Sequence, residues 1–193
     1  MRFPGSVVNS GDPRGAVTMH HKTEEGINQT MVSAETPGTI LLSDEVVDFI
    51  ESGVSIIVGV VGADGRARGG RALASRVLAG GAIRLIYPAE GNSAISDTAQ
   101  SGGPIAVTFS APMSHRTIQL KAMSTRAEEP EADDVNSLTQ QTDAFAAVLR
   151  AIGYAPSFVR AFCARRSQSF CVLSFLPNAA FEQTPGPGAG RKL

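Results

Sequence analysis

A run of β-branched residues followed at once by a tight-turn signal most constrains how this chain folds. Residues 54–61 read V-S-I-I-V-G-V-V, and such a run predicts a strand with most of both faces covered. Asp64-Gly65 comes next, and Asp-Gly between two strand-like runs is the strongest short signal for a β-hairpin. The sequence therefore predicts an antiparallel pair around this turn.

The remaining pattern predicts more strands of the same kind, separated by turns and a few helices. Six strands are expected in all, over residues 54–61, 68–78, 82–88, 105–110, 116–125 and 169–176, the last with an extension through Phe181. Helices are expected over residues 43–50, 92–99, 135–152 and 156–165. Hairpins without βαβ alternation favour a closed or partly closed barrel, and an open α+β sheet is the alternative.

Length and charge restrict the domain organisation and the function classes. The chain has 193 residues, with 17 Lys+Arg against 18 Asp+Glu. We expect a flexible arm over residues 1–36, one domain over 37–187 and a tail over 188–193. The charge balance argues against a binder of nucleic acid or membrane surfaces, since such proteins usually carry a basic surplus. No secretory signal or membrane span is visible, so a cytoplasmic location is expected.

A metal site is not predicted. The chain has two cysteines without a C-x-x-C pair, and three histidines of which two are adjacent. These residues do not supply the four ligands of a structural zinc site.

Three stretches resemble a known family. They are Arg71 to Arg76, with an arginine and a second basic residue five positions later; Leu85 to Ser93, a strand, a small polar loop and a helix start; and His115 to Ala122. The end of the chain, Phe181 to Pro187, adds a fourth match. Together they resemble the flavin-binding split barrel of the pyridoxamine 5′-phosphate oxidase family.

This resemblance implies a mainly β, α+β fold, with a six-stranded antiparallel split β-barrel and flanking helices. It implies flavin mononucleotide (FMN) as cofactor, with a deazaflavin or a haem as alternatives, bound at the interface of a homodimer. It also implies an FMN-dependent oxidoreductase acting on a small-molecule substrate that the sequence does not identify. The implied cofactor-binding residues are Arg71, Ser75, Arg76, Asn92, Ser93, Arg116, Thr117, Gln119 and Lys121.

Alternation along residues 116–121 supports one part of this set. Strand side chains have a period of two, so Thr117, Gln119 and Lys121 share one face. The alternative is that these three side chains form the solvated outer face of an antiparallel sheet.

One departure from the family favours a different function. No Arg or Lys lies between Tyr87 and the end of the following helix, where the family carries a phosphate-binding basic residue. The second hypothesis is therefore a non-enzymatic split-barrel protein that binds flavin, haem or another small ligand and has lost catalysis. No catalytic residue can be named from the sequence, because a flavin would itself carry the chemistry.

Overall fold

Two antiparallel sheets and four helices make up the part of the chain that the structure describes. The computed structural model describes residues 38–163 and 169–193. The strands are β1 (Ser55–Val61), β2 (Ala67–Ala72), β3 (Ala74–Val77), β4 (Ile83–Pro88), β5 (Ile105–Ser110), β6 (Thr117–Ala122), β7 (Arg126–Glu128), β8 (Phe170–Phe175) and β9 (Ala179–Glu182). The helices are α1 (Asp44–Ile50), α2 (Ser93–Ser101), α3 (Ala132–Ala151) and α4 (Pro156–Cys163).

The strands divide five and four. One sheet has the order β2-β1-β5-β6-β9, and the other has the order β3-β4-β8-β7. Every pair of neighbouring strands is antiparallel. The predicted α+β class with antiparallel strands is therefore confirmed, with nine described strands instead of six.

One of the three additional strands arises at Leu73, and the other two are β7 and β9. The sequence predicts one strand over residues 68–78, but β2 and β3 belong to different sheets. Leu73 lies between them and donates its backbone N–H to the Ile86 carbonyl at 2.8 Å. Ala72 packs into the central core and Ala74 into a separate cluster beneath α3, so the chain passes from one sheet to the other here.

The central core lies between the two sheets. It takes alternate residues of β1, β5 and β6 from the five-stranded sheet and of β4 and β8 from the other: Ile56, Val58, Val60, Val107, Phe109, Ile118, Leu120, Ile83, Leu85, Tyr87, Leu173 and Phe175. A second cluster, with Leu138 of α3 at its centre, covers the other face of the four-stranded sheet. Burial of these apolar side chains provides the main driving force for the fold.

Local signals of the sequence have the structures expected of them. The Ser43 hydroxyl caps α1 by accepting from the Val46 N–H at 3.4 Å. Gly65 has φ of 73° in the turn between β1 and β2, a conformation that glycine adopts without strain. The predicted helix over 135–152 is α3, which begins earlier because Glu131 and Asp134 form a capping box.

The structure describes the C-terminal end of the chain but not the N-terminal end. The arm predicted over residues 1–36 lies outside the described residues. At the other end, residues 188–193 turn back along β9, where Leu193 N–H donates to the Ala180 carbonyl at 2.9 Å and Phe181 pairs with Lys192. No helix in the described part of the chain is long and apolar enough to cross a membrane.

Candidate cofactor-binding face

The outer face of the five-stranded sheet, opposite the central core, brings together four of the predicted site residues. The strand registers align Arg71, Ile57, Thr108, Gln119 and Phe181 in one row across all five strands. Neighbouring strands lie about 4.8 Å apart, so Arg71 and Gln119 are separated by roughly 14 Å across the sheet. We call this surface the outer face; Thr117 and Lys121 belong to it as well.

A neighbouring row of the outer face consists of small side chains beside one lysine. The same registers align Gly69, Gly59, Ala106 and Lys121. Glycine and alanine leave the backbone of the sheet open to close approach by a flat group. Beside them, the side chains of Ile57 and Val61 are each 51% exposed. This surface therefore combines apolar contact area with Arg71 at the β2 edge and with Gln119 and Lys121 on β6.

Ile57 and Val61 also correct the sequence analysis. The run over residues 54–61 predicts a strand covered on both faces, but β1 is half-exposed on one of them. These two residues, with Thr108 and Phe181, were missed as members of the candidate site. Strand parity relative to Gln119 could have identified them only if the order of the strands in the sheet had been known.

Hydrogen bonds hold the polar side chains of the outer face in place. Gln119 Nε2 donates to Thr108 Oγ1 at 3.2 Å, and the Thr117 hydroxyl donates to Ser110 Oγ at 3.1 Å and to the His115 carbonyl at 3.0 Å. Lys121 Nζ lies 4.8 Å from the centroid of the Phe181 ring. Burial along β6 alternates as predicted, with Ile118 and Leu120 in the core.

Arg71 stands at the β2 edge of the outer face, against α3 and α4. Its guanidinium lies 4.0 Å from the centroid of the Phe162 ring and 5.4 Å from that of Phe145, and Nη1 donates to the Phe162 carbonyl at 3.1 Å. Arg71 Nε is buried and has no hydrogen-bond partner among the described residues. Burial lowers the pKa of Arg71 from its ordinary value. A buried donor without a partner is unusual and is compatible with a ligand at this edge.

Arg76, in contrast, is part of an ion network on the four-stranded sheet. Its Nη1 donates to Asp134 Oδ1 at 2.7 Å and to Glu131 Oε2 at 3.1 Å, and Nη2 lies 3.3 Å from Asp133 Oδ2. Arg84 adds bonds to both oxygens of Asp134, at 3.1 and 2.7 Å. Arg76 and Arg84 thus neutralise a buried carboxylate that the sequence analysis did not single out.

Ser75 and Asn92 are engaged inside the protein. The buried Ser75 hydroxyl donates to the Ile50 carbonyl at 2.7 Å, which joins β3 to the end of α1. Asn92 Oδ1 accepts from the Arg71 N–H at 3.3 Å, and Nδ2 donates to the Pro88 carbonyl at 2.8 Å. Both polar side chains support the backbone around the outer face without lying on it.

Ser93 and Arg116 lie at two other places. Ser93 is exposed in the first turn of α2 and lines a cavity of about 620 Å³ next to the turn between β1 and β2. Arg116 forms an ion pair with Glu45 at 2.8 Å, and its guanidinium lies 4.6 Å from the centroid of the Phe49 ring. The described residues contain no cluster of three His, Cys, Asp or Glu that could hold a metal ion.

The chain is similar to several solved structures. No protein-family model matches the chain, and no curated protein matches it in sequence. HupZ of Group A Streptococcus is similar in structure, with 15% identity and a TM-score of 0.46 over 78% of this chain and 100% of that one. HutZ, the heme storage protein of Vibrio cholerae, has 11% identity and a TM-score of 0.44 over 74% and 95% of the two chains.

A third similar structure is described by its family. It is a protein of the pyridoxinephosphate oxidase family from Clostridium acetobutylicum, related to general stress protein 26, with 10% identity and a TM-score of 0.41 over 70% and 83% of the two chains. At these identities and scores the similarity gives no ligand and no activity.

Proposed function

We propose that the outer face binds a flat aromatic cofactor, with FMN as the first candidate, and that the protein is an FMN-dependent oxidoreductase acting on a small-molecule substrate. The observation that carries this proposal is the row Arg71, Ile57, Thr108, Gln119 and Phe181, which crosses five strands and places apolar and hydrogen-bonding side chains side by side on one face. Four of the nine residues implied by the sequence resemblance lie on this one face.

The residues present fit the ring system of such a cofactor. Gly59, Gly69 and Ala106 allow close approach of a planar group, and Ile57 offers apolar area. Gln119 on β6 and the Nη groups of Arg71 at the β2 edge can donate hydrogen bonds to ring oxygens or nitrogens. A bound flavin supplies hydride or electron transfer, while the protein supplies binding, orientation and local electrostatics.

Lys121 is our candidate for binding the cofactor phosphate. It is exposed on the outer face, and within residues 38–163 and 169–193 its ammonium has the Phe181 ring as its recorded partner and no ion pair. Arg76 is already paired with three carboxylates, and α2 carries no basic residue. Lys121 therefore takes the role that the sequence resemblance gives to a basic residue on α2.

We also propose that the protein is a homodimer with the cofactor at the interface. Ile57 and Val61 give the outer face exposed apolar area on β1, whereas most apolar side chains of β1, β5 and β6 face the core. A second copy placed on this surface would exclude water from a bound ring and strengthen the polar contacts at its edges.

A second candidate function is a non-enzymatic protein that binds a flavin, a haem or another flat ligand. The observation favouring it is that two of the predicted arginines, Arg76 and Arg116, are held in ion pairs away from the outer face. With fewer unpaired cations the protein binds a phosphate group more weakly. FMN has such a group to be bound, whereas a haem does not.

Absorption spectroscopy of the purified full chain tests the cofactor. FMN is added and the protein is desalted, with deazaflavin and haem in parallel samples. Flavin bands that remain after desalting support the leading proposal, and retention of haem alone supports the second candidate. Loss of all three ligands would refute a cofactor role for the outer face.

Two variants then locate the site. Lys121→Ala removes a charge-assisted contact, for which we expect FMN affinity to fall about 10-fold to 100-fold. Arg126→Ala is the matched control, an exposed cation on a strand of the other sheet, and should leave the affinity unchanged. Equal loss in both variants would mean that FMN binds by general charge attraction.

The oligomer and the activity need separate measurements. Ile57→Asp places a charge in the exposed apolar part of the outer face, so we expect a monomer by light scattering and no retained FMN. Val135→Asp, on the exposed surface of α3, is the control and should stay dimeric. A wild-type monomer at micromolar concentration would refute the interface. Bleaching of the bound flavin by NADH or NADPH supports the oxidoreductase; a flavin that no donor reduces favours the binding protein.

A further inference from the structure

A second surface, whose lining shares no residue with the outer face, also has the features of a binding site. It lies next to the Arg71 edge of that face, because Arg71 packs against Phe145 of α3 and Phe162 of α4, the same two helices that form this second surface. A cavity of about 410 Å³ lies between α3 and α4. Apolar contacts among Phe145, Ala146, Leu149 and Val159 hold the two helices together beneath it. Its lining consists of Thr142, Asp143, Ala146, Arg150, Val159, Arg160 and Cys163.

The lining carries a surplus of positive charge. Arg150 comes from α3 and Arg160 from α4, and neither has an ion-pair partner in the described part of the chain. Asp143 supplies the one carboxylate of the lining. Burial raises the pKa of the Cys163 thiol, so this group adds no negative charge near neutral pH. Two guanidinium groups facing one cavity are suited to an oxyanion, which they can bind through paired hydrogen bonds.

Thr142 provides an independent observation that points to a ligand. Its side chain is buried, with 8% of the residue exposed, and Oγ1 has no hydrogen-bond partner within residues 38–163 and 169–193. A threonine hydroxyl in a helix usually donates to the carbonyl four residues earlier, as Thr139 of α3 does to Val135 at 3.0 Å. A buried hydroxyl left without a partner costs free energy, so this one gains by hydrogen bonding to a ligand in the cavity.

These groups line one cavity. Thr142, Ala146 and Arg150 follow one another at intervals of four along α3, so about 12 Å separates the first from the last along the helix axis. Helical side chains lean toward the N-terminus, which brings Arg150 back over the small Ala146 toward Thr142. Arg160 faces them from α4.

We propose that the cavity between α3 and α4 binds a small molecule through its phosphate or carboxylate group. Arg150 and Arg160 hold the charge, and the Thr142 hydroxyl donates to one of the oxygens. This site is separate from the outer face and does not depend on FMN.

Nuclear magnetic resonance of the full chain tests the site with two probes, inorganic phosphate and acetate. Each is titrated at constant ionic strength against sodium chloride. We expect saturable shifts of the backbone amides of Thr142, Ala146, Arg150 and Arg160 with at least one probe, and the tighter probe identifies the source of the oxyanion. Shifts that do not saturate with either probe would overturn the proposal.

Variants show whether these side chains carry the binding. Arg150→Gln and Arg160→Gln should each raise the dissociation constant about 10-fold or more, and the nearly isosteric Thr142→Val about 3-fold to 10-fold. Arg126→Gln is the control and should have no effect. Arg126 is an exposed arginine of β7, the edge strand of the four-stranded sheet. Binding that survives both Arg150→Gln and Arg160→Gln belongs to another site, such as the outer face, and would overturn the assignment.

Discussion

Replacing Asp134 by Asn should destabilise the protein more than any other change in its ion network. The Asp134 side chain is fully buried, accepts three bonds from Arg76 and Arg84, and also accepts from the Glu131 N–H at 2.9 Å. Asparagine is nearly the same size, so little packing is lost. The substitution removes the charge that neutralises Arg84, which is itself almost completely buried.

Removing one partner of a buried ion pair costs about 3–5 kcal/mol, because the remaining charge stays desolvated. Glu131 lies 3.4 Å from Arg84 Nη1 and compensates in part, so we expect the lower end, about 3 kcal/mol. For a chain of this length each kcal/mol lowers the melting temperature by about 2–4 °C. The expected fall is therefore roughly 6–12 °C.

Urea denaturation followed by circular dichroism measures this loss. Asp133→Asn is the matched control: the residue joins the same network, but its side chain is 72% exposed, so its loss should cost less than about 1 kcal/mol. Equal effects of the two substitutions, or a loss below about 1 kcal/mol for Asp134→Asn, would refute the view that the network depends on one buried carboxylate.

The pH dependence of stability gives an independent check on Asp134. Burial alone raises the pKa of this carboxyl, but hydrogen bonds from Arg84 and Arg76 outweigh burial and hold it below its ordinary value. A depressed pKa in the folded state means that the stabilisation is complete above the unfolded value, about pH 4, and is lost as the pH falls through the folded value. Wild-type stability should thus decline more steeply below pH 4 than that of Asp134→Asn.

Four further substitutions test packing and buried hydrogen-bonding groups. A Cβ on Gly70 would overlap Asn92 Oδ1, whereas a Cβ on Gly69 would make ordinary contacts. Gly70→Ala should therefore lower the free energy of unfolding by about 1–3 kcal/mol, and Gly69→Ala should be tolerated. Equal effects of the two substitutions would contradict this explanation. Ser75→Ala loses a buried hydrogen bond and should cost about 1–3 kcal/mol by urea denaturation. Without added anion, Thr142→Val should raise the melting temperature slightly, since it removes an unpartnered hydroxyl; a fall would contradict that explanation.

Much of the candidate face follows from strand periodicity alone. Thr117, Gln119 and Lys121 are predicted to share a face, and they do, because side chains alternate in any strand. The sequence could not show that Ile57 and Thr108 complete the same row. Their alignment depends on β1 lying beside β5, an arrangement that brings together residues about fifty positions apart in the chain.

The arginines show the same limit for charges. Arg71 and Arg76 look alike in the sequence, as two basic residues on one predicted strand. In the fold, the chain changes sheets at Leu73, so Arg71 packs against Phe162, 91 positions away, and Arg76 pairs with Asp134, 58 positions away. Which arginine retains a free donor is settled by these distant partners.

The sequence by itself determines the α+β class, the turn at Asp64-Gly65 and the cap of α1, because each depends on neighbouring residues and local backbone geometry. Only the tertiary structure decides that the strands form two sheets, that Asp134 is buried, and that the Thr142 hydroxyl finds no partner among the described residues. The physical reason is that burial and pairing depend on which distant segments pack together. Such contacts set the dielectric surroundings of a charge and the partners of a polar group.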